Sequence, residues 1–162
     1  MNHNIVIRTD IRPGDTGNIV RLHGEYYSAN NGFDISFEPY VAIPLSEFVL
    51  RNNKRERIWI VESNKEVVGC IAITMYKTKI AQLRWFILKH DFHGKGIGKE
   101  LIHRSIDFAK EAKYSKIMLW TVSDLEAAIM IYRKNGFELK KEKQHKLWGK
   151  NITEQLYEKK LN

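Results

Sequence analysis

The stretch "LRWFILKHDFHGKGIGKELI", Leu83–Ile102, passes from an apolar, strand-like run into a helical pattern by way of His93-Gly94-Lys95-Gly96-Ile97-Gly98. Glycines spaced two apart let a turn enter positive-φ conformations and keep Cβ atoms away from anything that approaches its amides. A helix that starts there adds the positive end of its dipole, so the arrangement is suited to holding an anion. Two common phosphate loops are excluded by counting. A Walker A loop needs a glycine separated by four residues from its Gly-Lys pair and a Ser or Thr after it; His93 and Glu100 occupy those positions around Gly98-Lys99. A dinucleotide fingerprint needs a third glycine three residues after Gly96, where Lys99 stands.

Outward from the turn, the pattern predicts further elements. Asn4–Arg8 is β-like, and Pro13 precedes a helix with apolar positions at Ile19, Leu22, Tyr26 and Tyr27 that "SANNGFD", Ser28–Asp34, is expected to end. Glu38–Leu50 predicts a second helix with Val41, Leu45, Phe48 and Val49 on one side, kinked or split at Pro44. Arg57–Glu62 and Val67–Tyr76 read as strands joined by a hairpin at Ser63-Asn64-Lys65-Glu66, and Ala81–Leu88 as a third. Ile97, Leu101, Ile102, Ile106 and Ala109 mark the apolar face of the helix after the glycines. Lys116–Val122 predicts a strand, Ser123-Asp124-Leu125-Glu126 a capping box for a helix ending near Lys134, with Gly136 as its C-terminal cap. Strands are expected at Phe137–His145 and Glu154–Leu161. The order β-α-α-β-β-β-α-β-α-β-β is of the mixed α/β class, and the absence of repeats, linkers and low-complexity tracts predicts one domain over residues 1–162.

Composition narrows the function. Hydrophobic residues at 43% and charged residues at 28% argue against disorder. No run is long enough to span a membrane, and the N-terminus lacks a secretory pattern, so the expected location is the cytoplasm. Cys70 alone excludes an internal disulfide and a thiolate cluster. The net charge of +8 admits an anionic partner. Yet the lysines after Glu138 alternate with Glu142, Glu154 and Glu158, as on a solvated strand face, and no Arg-rich block with interleaved aromatics marks a nucleic-acid platform. Nucleic acid is therefore not the expected partner. The six histidines, at 3, 23, 90, 93, 103 and 145, show no metal-ligand spacing, so no metal is expected.

At His93, Gly96 and Gly98 the sequence resembles the Arg/Gln-x-x-Gly-x-Gly/Ala motif of the GNAT superfamily of acetyl-CoA-dependent N-acetyltransferases. Ala128, Tyr132, Gly136 and Phe137 match that family's later Ala-x-x-x-Tyr-x-x-x-Gly-Phe pattern, and the element order agrees over essentially the whole chain. "AQLRWF" and "LWTVSDLEAA" look similar to the acetyltransferase half of fusions with a MarR-type DNA-binding regulator. The resemblance implies a mostly antiparallel sheet of about seven strands flanked by about four helices. It also implies acetyl-CoA as cosubstrate and a primary amine of a small molecule or protein as acceptor, with a homodimer as the candidate assembly; the lack of an activated Ser or Cys points to direct transfer without an acyl-enzyme. Its alternatives are a CoA-sensing domain without turnover and a basic nucleic-acid-associated protein.

Carried over by residue, the pyrophosphate would lie on the amides of Gly94, Lys95, Gly96, Ile97, Gly98 and Lys99, with His93 replacing the usual Arg or Gln. The pantetheine would lie between the strands at Leu83–Leu88 and Lys116–Val122, against Ala128. An amide near Ile87 or Leu88 would meet the thioester oxygen. Leu125 stands where the family often has Asn, with Ser123 as substitute donor. Tyr132 would protonate the leaving sulfur. Glu25, Glu38 and His23 are the candidate proton acceptors for the amine, and Tyr26, Tyr27, Phe33, Arg84 and Trp85 the candidate walls of its pocket.

Overall fold

The computed structural model describes residues 4–162. His3 therefore lies outside the described residues. Seven strands form one sheet, β1 (Ile5–Arg8), β2 (Arg57–Ser63), β3 (Glu66–Lys77), β4 (Ile80–Leu88), β5 (Lys116–Val122), β6 (Glu138–Leu147) and β7 (Lys150–Lys160), in the order β1-β2-β3-β4-β5-β7-β6. Every neighbouring pair is antiparallel except β4–β5. Four helices, α1 (Asp15–Asn31), α2 (Phe37–Arg51), α3 (Ile97–Glu111) and α4 (Glu126–Lys134), flank it.

Strand alternation divides the core in two. On β2, Trp59 and Val61 join Leu101, Ile102, Ile106 of α3 and Ile129, Tyr132 of α4. Ile58 and Ile60 face the other way, onto Ile19 and Leu22 of α1 and Val41, Leu45 and Phe48 of α2. The sheet thus carries one helix pair on each face, and most of β2 and the Val67–Thr74 part of β3 are buried because both faces are covered.

Asn64 and Lys65, both at positive φ, make the two-residue β2–β3 turn, the geometry whose twist matches a hairpin. As expected, α1 ends within Ser28–Asp34: it runs to Asn31 and stops at Gly32, whose N–H bonds back to the carbonyls of Ser28 and Tyr27. Three expectations need correction. First, α2 is unbroken from Phe37 to Arg51 despite Pro44, because burial of Val41, Leu45 and Phe48 against the sheet offsets the lost hydrogen bond. Second, the capping box does not form: the Ser123 amide donates to the Thr153 carbonyl instead, tying this loop to β7, and the α4 N-cap is Leu125. Third, the last hairpin turns at Trp148-Gly149 and β7 begins at Lys150, four residues before the expected start of that strand, so β7 is longer than its sequence pattern suggests.

The end of α4 follows expectation. Phe137 N–H bonds the Tyr132 carbonyl and Gly136 N–H the Arg133 carbonyl, the paired Schellman bonds, with the Tyr132 and Phe137 rings 5.9 Å apart as the accompanying apolar contact. That motif fixes the Tyr132 ring on the sheet.

The β4–β5 seam positions the site. Their ladder joins only Ile80–Gln82 to Lys116–Met118. Beyond it both strands continue without pairing to each other, to Leu88 and Val122, and a cavity lies between them. On its other side β4 bulges: Ala72 opposes Arg84 and Cys70 opposes Ile87, which leaves one extra residue on β4, and Trp85 sits there at φ 51°.

Candidate active site

The glycine turn follows a short 3-10 segment, His90–Phe92, and opens α3. Gly94 and Gly96 have φ of 72° and 80°, and no atom lies within 4 Å of where a Cβ would stand on either. The first intrahelical bond is donated by Glu100 to Gly96, so the amides of the preceding residues have no carbonyl of the helix to meet. The surface above the turn is therefore open and rich in donors, which is what an anionic group requires.

A cleft of about 1030 Å³ leads from this turn along the seam. Ile87, Leu88, His93, Gly94, Gly96, Gly98, Lys99 and Ala128 all line it, so most of the residues carried over by resemblance are brought together. Three are not. Ile97 is buried in the core, anchoring the first turn of α3. The Lys95 ammonium lies 5.2 Å from the Phe92 ring centre. The Ser123 amide is committed to Thr153, and its hydroxyl to the Asp124 carboxylate. His93 also departs from expectation. Its Nε2 is 2.7 Å from the Leu88 carbonyl, so that nitrogen donates back to the strand end and braces the turn and is not free for a phosphate.

A second cavity of about 120 Å³ shares Tyr27, Phe86, Leu125 and Ala128 with the cleft. Tyr132 lines it. Its ring packs against Phe86, Phe137 and Tyr157, it is 5% exposed, and its hydroxyl has no hydrogen-bond partner among the described residues. Burial pushes the phenol up from its ordinary value, so it stays protonated at any physiological pH.

Of the candidate proton acceptors, His23 reaches this cavity. It is 3% exposed, its Nδ1 lies 2.8 Å from the Ile19 carbonyl, and its Nε2 has no partner. Burial drives its pKa down to about 4, although the Ile19 carbonyl acts in the opposite direction. The ring is neutral, carries its proton on Nδ1 and keeps a lone pair on Nε2. Glu25 does not belong to the cavity: its side chain is 65% exposed and pairs with Arg21 at 2.7 Å. Glu38 lies against the backbone of Gly24, where an added Cβ would come within 3 Å of its carboxylate, and lines neither cavity. Cys70 is no nucleophile, since its thiol donates to the Trp85 carbonyl at 3.1 Å and burial pushes its pKa up.

Tyr27, Phe33, Arg84 and Trp85 line the inner cavity as expected, while Tyr26 faces the cleft. The sequence reading missed Phe37 and Tyr40 from α2, Trp148 from the last turn, and Glu154 on β7, which accepts a hydrogen bond from His145 at 3.0 Å. Phe33, Phe37 and Tyr40 all lie within 5 Å, centre to centre, of the Trp148 ring, except that no local pattern foretells this: the hairpin and α2 meet only in the fold. Among the described residues no three His, Cys, Asp or Glu side chains gather to hold a metal ion, and no helix is long and apolar enough to cross a membrane.

The model of the acetyltransferase (GNAT) family matches residues 19–137, which includes the glycine turn, the seam and Tyr132. The chain belongs to that family. It is 28% identical over 122 residues to an uncharacterized N-acetyltransferase of Methanocaldococcus jannaschii, an alignment covering 71% of this chain and 54% of that one. With N-acetyltransferase family 8 member 3 of Rattus norvegicus it shares 28% identity over 85 residues, 49% of this chain and 37% of the relative. The chain thus aligns with about half or less of these curated relatives. Among solved structures, an N-acetyltransferase from Staphylococcus aureus Mu50 superposes with a TM-score of 0.80 at 18% identity, covering 98% of this chain and 99% of that one. A putative acetyltransferase from Salmonella typhimurium, solved with its cofactor acetyl-CoA, superposes at 0.77 with 16% identity, covering 98% and 94%. These likenesses establish the mixed α/β GNAT fold, a seven-stranded sheet with four helices.

Proposed function

We propose that residues 1–162 form one N-acetyltransferase domain that moves an acetyl group from acetyl-CoA directly to the nitrogen of a primary amine. The observation that carries this reading is the continuity of the site: a donor-rich turn, an unpaired seam and a buried tyrosine follow one another along two adjoining cavities. The wording of "AQLRWF" and "LWTVSDLEAA" further suggests kinship with the acetyltransferase half of MarR-type fusions.

The residues present fit the cosubstrate. The amides of Gly94 to Lys99, with the Lys99 ammonium, would hold its pyrophosphate, and the β5-facing edge of β4 from Leu83 to Leu88 offers main-chain groups to its amide-bearing arm. The Asn31 side-chain oxygen, buried without a partner and on a residue lining the cleft, supplies one more unpaired acceptor. Bound there, acetyl-CoA would supply an acetyl thioester. In the transfer the amine nitrogen bonds the acetyl carbon, the carbon–sulfur bond breaks, nitrogen gives up a proton and sulfur takes one.

Tyr132 is the proton donor to sulfur. Burial keeps its phenol protonated, so the proton is in place to be given up as the thiolate forms. His23 positions the amine. With a pKa of about 4 it is too weak to strip an alkylammonium near 10, a mismatch of roughly 8 kcal/mol. Its Nε2 instead accepts an N–H from an amine that arrives neutral. No Ser or Cys nucleophile stands in the cavity, in keeping with direct transfer.

Thermal denaturation with acetyl-CoA, ATP and DNA tests the partner: acetyl-CoA at millimolar concentration should raise Tm, and the absence of a shift would overturn the reading. A shift with DNA alone would favour a nucleic-acid role. Thiol release against an amine panel tests turnover; binding without release would point to a CoA sensor. Tyr132→Phe should lower kcat by roughly 100-fold with the acetyl-CoA dissociation constant unchanged.

A further inference from the structure

The inner cavity is lined by a cation that no ion pair neutralises among the described residues, the Glu47 carboxylate acting on it only at longer range. Arg84 is half-buried on β4 and lines the cavity, yet it makes no ion pair and no hydrogen bond among the described residues. Its recorded contact is with the neighbouring Trp85 ring, whose centre lies 5.1 Å from the guanidinium carbon. Other arginines are satisfied: Arg8 grips Asp15, Arg51 grips Glu56, and Arg55 donates to the carbonyls of Ala112 and Thr78. Burial pushes the Arg84 pKa down, the signature of a charge taken from water without full compensation. Taking a charge from water is costly unless it is paired, so a partner arriving with a ligand is the natural complement.

The bulge creates this arrangement. In a regular strand Arg84 and Trp85 would point to opposite faces. The extra residue, with Trp85 at positive φ, lets both line the same cavity. The Trp85 Nε1 is also unpaired, and buried. The planar Arg84 guanidinium on the cavity wall matches a carboxylate, whose two oxygens can receive two of its N–H groups. His23 lines the same cavity, and its Nε2 is an unpaired acceptor suited to an amine N–H. Tyr27, Phe37, Tyr40 and Trp148 supply an apolar, aromatic wall. The volume, about 120 Å³, is of the order that admits one small ring.

We propose that the acceptor is a small amino carboxylate with an apolar or aromatic side chain, its carboxylate held by Arg84 and its amino group presented at His23. The assignment rests on the acetyltransferase reading and deepens it. Arg84 is then a specificity-determining residue.

The test compares acceptors that differ only in the carboxylate: phenylalanine with 2-phenylethylamine, tryptophan with tryptamine, and leucine with 3-methylbutylamine. Thiol release with acetyl-CoA gives kcat/KM for each, and calorimetry gives the acetyl-CoA affinity separately. The wild-type protein is expected to favour the carboxylated member of at least one pair by tenfold or more. Arg84→Met should collapse that ratio at least tenfold, chiefly through KM, and Arg84→Lys should restore part of it; the melting temperature of each variant reports its folding. A protein that binds acetyl-CoA yet acetylates no carboxylated acceptor overturns the proposal, as does an Arg84→Met ratio equal to that of the wild type. Failure to bind acetyl-CoA overturns the underlying acetyltransferase reading and this proposal with it.

Discussion

His23 shows how one buried side chain couples the site to stability. Its pKa is about 4 in the folded protein and near 6.5 in an unfolded chain, so the unfolded state binds the proton more tightly. Stability from this residue is fully present above pH 6.5 and is lost as pH falls towards 4, on the order of 3 kcal/mol over that window. Denaturant midpoints at pH 7 and pH 4.5 should therefore draw closer together in His23→Leu than in the parent protein. The role proposed for His23, presenting a neutral amine, makes a separate kinetic prediction: kcat/KM should climb with pH towards the pKa of the amine, with no plateau near 6.5. In sequence His23 was one of three candidate proton acceptors, and nothing local separated it from Glu25, two residues away. Helical geometry does: two positions along α1 the side chain faces water and pairs with Arg21.

At the scale of elements, legibility followed the range of the interaction that decides each feature. The β2–β3 turn and the end of α4 are set by residues in direct succession, and both formed as expected. The missing capping box depends on Thr153, thirty positions downstream of Ser123, and the aromatic wall on Trp148, so neither could be seen locally. The bulge in β4 lies in the same class, because Trp85 in a run of alternating residues carries no glycine to announce it. One long-range link is suited to a direct test. Arg8 at the end of β1 forms two hydrogen bonds of 2.8 Å with the Asp15 carboxylate at the start of α1, both side chains almost fully buried. Burial alone would raise the Asp15 pKa, but bonds from Arg8 and the Arg12 amide outweigh it and hold the carboxyl below its usual range. Arg8→Met strands that carboxylate, and should cost about 3–5 kcal/mol in a denaturation experiment at pH 7. The deficit should shrink below pH 4, where the carboxylate of the unfolded chain is protonated and the contribution of the pair is already fading.

The whole molecule explains where its charge goes. The net +8 is concentrated in part on β6, an edge strand whose residues from Glu138 to Lys146 are exposed, with Lys140, Lys141, Lys143 and Lys146 among them. Lysines on an outer strand discourage another chain from adding to the sheet. The seam between β4 and β5 has no such protection. Past Gln82 and Met118 two strand margins run side by side without bonding each other, inside a sheet otherwise continuous from β1 to β6. Unpaired strand margins can template pairing with another chain once heating opens the helices that cover them. Acetyl-CoA bound along the seam, as proposed, would then act as a built-in chaperone for the fold. Turbidity on mild heating should appear later, and at higher temperature, when acetyl-CoA is present, and by more than a charged control such as ATP achieves.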